Sequence, residues 1–184
     1  MTGGKQTKHV RAAMICTIAL AIVINYIGGQ LALLFRLPIY LDSIGTILTA
    51  CLFGPLWGMV PPLLSGIIMS FTGDIYSLYF APVGMILGLM TGFVMRKGNH
   101  GRARIFLDAL IVTIPGTIVS SLINAAVFGG VTSSGSSLLV QVLAHTPLGL
   151  TGSIFVVQIL TDYLDRLISL FLVQAVLRVP AVRA

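Results

Sequence analysis

The run from Ala12 to Phe35 contains no charged residue. At about 1.5 Å per residue it spans roughly 36 Å as a helix, more than the roughly 30 Å hydrocarbon core of a bilayer. Further apolar runs follow it along the chain. With 57% hydrophobic and only 9% charged residues among 184, too little polar surface remains to coat a water-soluble globule. The whole chain, 1–184, therefore reads as one all-α integral membrane domain in contact with a lipid bilayer.

The net charge of +6 is not spread as a face for nucleic acid, and no nucleic-acid partner is expected. Lys5, Lys8 and Arg11 precede the first apolar run. Arg96, Lys97, Arg102 and Arg104 lie between two later ones, and Arg178 and Arg183 close the chain. Loops rich in Lys and Arg stay in the cytoplasm, so both termini and the 96–104 loop are expected inside a prokaryotic cell membrane crossed several times. The basic start and Ala19-Leu20-Ala21 imitate a secretory signal, but the apolar run continues past the 7–15 residues of a cleavable core, which predicts an uncleaved first helix. Cys16 and Cys51 both sit in apolar segments, which speaks against a disulfide framework or a metal site and for small core residues.

Gly, Pro and charged positions divide the chain into six apolar segments, near 12–35, 43–53, 57–72, 78–95, 106–130 and 148–177, which predict six transmembrane helices. The second covers only some 17 Å as a helix. It must tilt, run on into the third through the Gly54-Pro55 break, or stop short of a full crossing. Irregular backbone at membrane depth is tolerated only inside protein or beside a wet cavity, which makes this region a wall of a site. The loops 36–42, 73–77 and 131–147 then fall outside. They carry Arg36, Asp42, Asp74, Tyr76, the Thr132–Ser137 run and His145. Leu138 to Ala144 suits a re-entrant lid and a plain surface helix equally. No internal repeat is evident.

Ala13, Thr17 and Ala21 are four residues apart and form a small-residue ridge, and Gly84, Gly88 and Gly92 form another. Such ridges let helices approach closely, within one chain or between chains. Asp162, Asp165 and Arg166 interrupt the last apolar run. Asp162 and Arg166 stand one helical turn apart and are expected to pair, which lowers the cost of burial. Both a functional and a structural role suit them, and two carboxylates without further ligands do not make a metal site. Asn25, Tyr26, Gln30, Asn124 and Gln158 either join helices or line a polar cavity. Together with Arg36, Asp74, Tyr76 and Tyr79 they favour a pocket opening outward.

Enzyme readings fare poorly. Ser136 and His145 lie in an expected loop rather than a buried catalytic turn, and no phosphate-binding Gly-x-x-x-x-Gly-Lys-[Ser/Thr] exists. No cofactor is expected, and the chain cannot itself hydrolyse ATP.

Leu41-Asp42-Ser43-Ile44-Gly45-Thr46-Ile47, Phe53-Gly54-Pro55-Leu56-Trp57-Gly58, Tyr79-Phe80-Ala81-Pro82-Val83 and Asp165-Arg166-Leu167-Ile168-Ser169 together make the chain resemble the substrate-binding S components of energy-coupling factor (ECF) vitamin transporters. The resemblance implies a six-helix S-component bundle and capture of a vitamin outside. It also implies docking to a membrane scaffold subunit driven by two cytoplasmic ATPases, with toppling of the body in the membrane. The ridge that packs on the scaffold in that family maps onto Ala13, Thr17 and Ala21, with Thr17 in place of the family's central alanine. Asp74, Tyr76, Tyr79, Asn124, His145 and Gln158 fall in the substrate-binding regions, and cobalamin is the foremost candidate ligand, ahead of pantothenate, folate, riboflavin and queuosine-like compounds. The main rival is a self-sufficient oligomeric transporter or channel assembled through Gly84, Gly88 and Gly92. An intramembrane enzyme using Asp162 or Asp165 is a distant third.

Overall fold

A computed structural model describes residues 3–95 and 103–178. The side chains of Lys5 and Lys8, and residues Arg96, Lys97, Arg102 and Arg183, lie outside the described residues. The described residues are helical, without strands. The helices are α1 (Gly3–Leu34), α2 (Ile44–Phe53), α3 (Pro55–Gly58), α4 (Val60–Phe71), α5 (Tyr76–Met95), α6 (Arg104–Ile123), α7 (Ser136–Ala144) and α8 (Gly149–Leu177); α6 runs on into a π-helical turn, Asn124–Phe128.

Three of these helical stretches, Arg11–Leu34, Tyr76–Met95 and Arg104–Phe128, are long and apolar enough to cross a membrane. The fold is thus an all-helical one suited to a membrane. Helix α8 has the length but carries Asp162, Asp165 and Arg166 in its middle. The second and third apolar segments fold as short pieces. Gly54 (φ 94°, ψ −178°) separates α2 from α3, a conformation open to glycine, and Pro55 disfavours helical geometry in the residue before it. The Gly54-Pro55 break seen in the sequence is therefore a real interruption. Helix α4 tolerates Pro61 and Pro62 because they lie in its first turn, where an amide N–H has no helical partner.

Polarity is inverted relative to a soluble bundle. Ile15, Leu34, Phe71, Leu138 and Val142 are exposed, whereas Asn25, Thr46, Asp165 and Ser169 are buried. One apolar core joins α2, α5, α6 and α8 around Ile47, Leu87, Val112 and Leu170. A smaller one joins α7 to α8 around Val140 and Ile154. Cys16, expected in the core, lies on the exposed face of α1, and Cys51 is partly buried against the main core; both are free thiols. An apolar run in a membrane helix does not reveal which face turns inward.

Both small-residue ridges make contacts within the chain. A Cβ added at Gly84 would lie 2.5 Å from Pro62 Cβ, at Gly88 2.1 Å from the Gly58 carbonyl oxygen, and at Gly92 2.3 Å from Pro55 Cα. The α5 ridge is the seat of α3 and α4. Ala21 is likewise buried, with Gly45 of α2 against its carbonyl, while Ala13 is exposed and Thr17 bonds back to the Ala13 carbonyl.

Candidate functional site

The chain gathers its polar groups at one end of the bundle, where the 35–43, 72–75 and 129–149 connections meet. Two neighbouring cavities lie there. The inner one, about 100 Å³, lies among α4, α5, α8 and the 38–43 segment. The outer one, about 580 Å³, lies between the end of α1, the 72–76 turn and residues 131–141. Thr132 and Ser134 line both and stand between them.

One wall of the inner cavity is acidic. On α8, Gln158, Thr161, Asp162 and Asp165 recur at three- and four-residue spacing and so share a face, joined by Arg166. Asp165 is nearly inaccessible, and its carboxylate accepts hydrogen bonds from the Leu41 N–H (2.8 Å), the Ser43 hydroxyl (2.6 Å) and the Arg166 guanidinium (3.0 Å). Asp162 accepts from Thr117 (2.7 Å) and Ser120 (3.5 Å) on α6, and the same Arg166 nitrogen lies 3.3 Å from its other oxygen. The pairing of Asp162 with Arg166 expected from sequence is present, but Asp165 is the closer partner. Gln158 accepts from Ser121 (2.7 Å). Helices α4 and α5 contribute a mostly apolar wall, Pro62, Met69, Phe80, Val83 and Leu87, interrupted by Ser65 and Ser77.

Asp42 closes this cavity from the 36–43 connection. Burial and the neighbouring Asp165 carboxylate push its acid up to about 7 from an ordinary 3.8, against the opposing effect of Arg166. Leu41 beside it has a left-handed backbone (φ 54°), which is costly for a bulky residue and persists where surrounding structure holds it. The bond from its N–H to Asp165 supplies part of that hold. Two of the sequence segments singled out above, 41–47 and 165–169, are thus bonded to each other; Ser43 also meets Ser169 at 3.0 Å.

The outer cavity takes Gln30, Arg36, Asp74 and Tyr76. Asp74 is buried, accepts from Ser77, and has one carboxylate oxygen without a hydrogen-bond partner. Gln30 donates to Thr72 (3.3 Å). The Tyr40 hydroxyl meets Ser133 at 2.8 Å, and the Gly135 N–H donates to the Leu37 carbonyl (3.2 Å), so the 131–136 segment is tied to the 36–42 segment along the boundary between the cavities. Burial pushes the Tyr40 hydroxyl above the usual phenol range.

The sequence-derived residues therefore divide. Asp42 and Gln158 line the inner cavity, as do Asp162 and Arg166, while Arg36, Asp74 and Tyr76 line the outer one. Asn25 is wholly buried away from both. Its side chain bonds Thr46 (2.8 Å) and the Gly45 N–H (2.7 Å), so it joins α1 to α2. Tyr26 and His145 line neither cavity, and His145 is exposed. Tyr79 and Tyr76 pack on Phe128 of the π-helical turn, and Asn124 in that turn is buried with its side-chain oxygen unpartnered. Ser43 and Phe80 belong to segments that carry the resemblance but have no site role there, and sequence reasoning misses Tyr40 and Thr161; the 158–161–162–165 spacing is the signal that finds Thr161. Among the described residues no group of three or more His, Cys, Asp or Glu is placed to hold a metal ion.

Comparison with protein-family models, with curated proteins and with solved structures finds no match to this chain.

Proposed function

We propose that the chain is the membrane-embedded substrate-binding subunit of an ECF-type importer, which captures a vitamin from outside and delivers it by docking to a scaffold subunit and two ATPases. The observation that carries this reading is the cavity between the 38–43 segment and α8, lined by ionic groups in an otherwise apolar-surfaced helical body. Intramembrane charges are costly and mark ligand pathways by default. They sit here beside a cavity instead of only locking helices together. The contact between segments 41–47 and 165–169 adds to this support, because the resemblance to S components rests on both.

In this reading α1, the α2 unit, the α3–α4 unit, α5, α6 and α8 make six crossings, with Gly54 interrupting the backbone between the second and third. The basic residues at 5–11, 96–104 and 178–183 keep the termini and the 96–104 loop in the cytoplasm, and the cavities open outward. Ala13 remains accessible for scaffold docking, whereas Ala21 is already covered by α2. The α5 glycine ridge is filled by α3 and α4, which removes the surface on which the oligomeric-transporter reading depended. Asp162 and Asp165 are engaged by hydroxyl, amide and guanidinium donors, which suits holding a site better than abstracting a proton.

The test is calorimetric titration of the detergent-purified chain against cobalamin, pantothenate, folate, riboflavin and queuosine-like compounds. The expected result is one-to-one, roughly nanomolar binding of one member, with uptake only when scaffold and ATPases are present. Silence across the panel from folded protein removes this reading. A ligand as large as cobalamin further requires the two cavities to merge by displacement of the 131–136 segment.

A further inference from the structure

We infer that the inner cavity takes an organic cation, a ligand group bearing one protonated or quaternary nitrogen held between the acids of α8 and Asp42, with its apolar part against α4 and α5. The inference rests on reading this cavity as a capture site, and it names the ligand chemistry that site would recognise.

Charge balance comes first. Asp42, Asp162 and Asp165 line the cavity, while among the described residues Arg166 is the only Lys, Arg or His that does so. That guanidinium is already engaged by Asp162 and Asp165. Three acids against one base leave the cavity negative wherever Asp42 ionises. Uncompensated buried charge is strongly disfavoured, so the wall favours an incoming positive group.

Asp42 supplies the second observation. It lines the cavity and, though largely covered by protein, keeps some accessible surface. That surface is consequently cavity surface. Among the described residues its carboxylate meets its own backbone N–H and no side-chain donor, in contrast to Asp162 and Asp165, each of which has several. It is a part-buried carboxylate on the cavity surface.

Shape and chemistry then select the kind of cation. A volume of about 100 Å³ is several times the roughly 10–15 Å³ needed for one water. On α4 and α5, Pro62, Met69, Phe80, Val83 and Leu87 offer apolar contact to a ring or short chain, with Ser65 and Ser77 between them as hydroxyl partners. No group among the described residues has the donor set of a metal site. Anionic groups are disfavoured by the same acids.

The test uses the full chain in detergent at fixed ionic strength, titrated with four ligands built on one ring: benzylamine, benzyltrimethylammonium, benzyl alcohol and benzoate. Binding is read by calorimetry and by the shift in melting midpoint. The two cations are expected to bind at least about tenfold more tightly than the alcohol or benzoate, and Asp42→Asn to weaken the cations by about tenfold while leaving the alcohol unchanged. Equal or better binding of alcohol or benzoate, binding of none of the four, or the same stabilisation by sodium or potassium overturns the inference. Should Asp42→Asn fail to fold, the comparison on the unaltered chain still decides. A vitamin that binds without any such charge preference refutes the cation site and leaves the capture reading standing. Cation binding with silence across the vitamins does the reverse.

Discussion

Ser43 and Asp165 are 122 residues apart in sequence and joined by a 2.6 Å hydrogen bond inside the protein. With the neighbouring Leu41 N–H on the other carboxylate oxygen, the bond fastens the start of α2 to the middle of α8. Asp165 also holds Arg166, which reaches Asp162 and through it Thr117 and Ser120 of α6. One carboxylate therefore anchors three parts of the bundle and fixes the floor of the inner cavity.

Asp165→Asn removes the charge that balances Arg166 and keeps the side-chain shape. Removing one member of a buried ion pair costs about 3–5 kcal/mol, while losing one neutral hydrogen bond costs about 1 kcal/mol. Asp165→Asn is therefore expected to lower the unfolding midpoint in detergent well beyond Ser43→Ala. Equal midpoints for the two variants would show that the carboxylate does not anchor the network.

Much of the fold is legible in the sequence because membrane helices announce themselves by length and apolarity. The six apolar segments agree with helical stretches, and the Gly54-Pro55 interruption follows from backbone sterics alone. What the sequence does not carry is which way a residue faces when every face is apolar. Ala21 and Cys16 lie five residues apart in α1, and one is buried while the other is exposed. Asn25 is an amide of the same kind as Gln158, but Thr46 and Gly45 claim it for helix packing. Asp162 and Asp165 stand out in the sequence as charges within an apolar run, and their shared face with Gln158 follows from helical spacing. Their link to Asp42 depends on a long-range contact that no local pattern encodes.

Asp42 gives a pH dependence whose sign is fixed by its raised pKa. Burial and Asp165 push it from 3.8 to about 7 in the empty protein, while Arg166 opposes and Asp162 adds to the rise. Between those values the unfolded chain releases a proton that the folded chain keeps, so stability is fully present below about 4 and is lost as pH rises towards 7. The unfolding midpoint of the ligand-free protein is expected to fall between about pH 5 and pH 7.5, and Asp42→Asn to flatten that part of the curve. A slope that persists in the variant would assign the effect to another group.

The α1 ridge gives two variants with opposite outcomes. Ala13 is exposed, whereas Ala21 is fully buried with Gly45 against its carbonyl. On the proposed importer reading, Ala13→Trp is expected to leave the unfolding midpoint and ligand binding unchanged while abolishing uptake in the presence of scaffold and ATPases. Ala21→Trp overfills the α1–α2 contact and is expected to cost about 1–3 kcal/mol or more. If Ala13→Trp leaves uptake intact, scaffold docking does not use this end of α1.

Few bonds hold the boundary between the two cavities. The Tyr40 hydroxyl and Ser133 lie 2.8 Å apart, and the Gly135 N–H donates to the Leu37 carbonyl nearby. Gly129, Gly130 and Gly149, all with positive φ, bracket the segment that carries α7, so its attachment to the 36–42 connection rests on few bonds. Tyr40→Phe deletes one of them and keeps the ring. Loss of a hydrogen bond worth about 1 kcal/mol raises the open population about fivefold, and amide exchange reports such local opening directly. Amides in 131–136 are expected to exchange about fivefold faster in Tyr40→Phe, with those of α5 and α6 unchanged. Faster exchange spread evenly over the bundle would mean that the tyrosine supports the whole fold, and unchanged exchange at 131–136 would mean that the backbone bond at Gly135 alone holds the boundary shut.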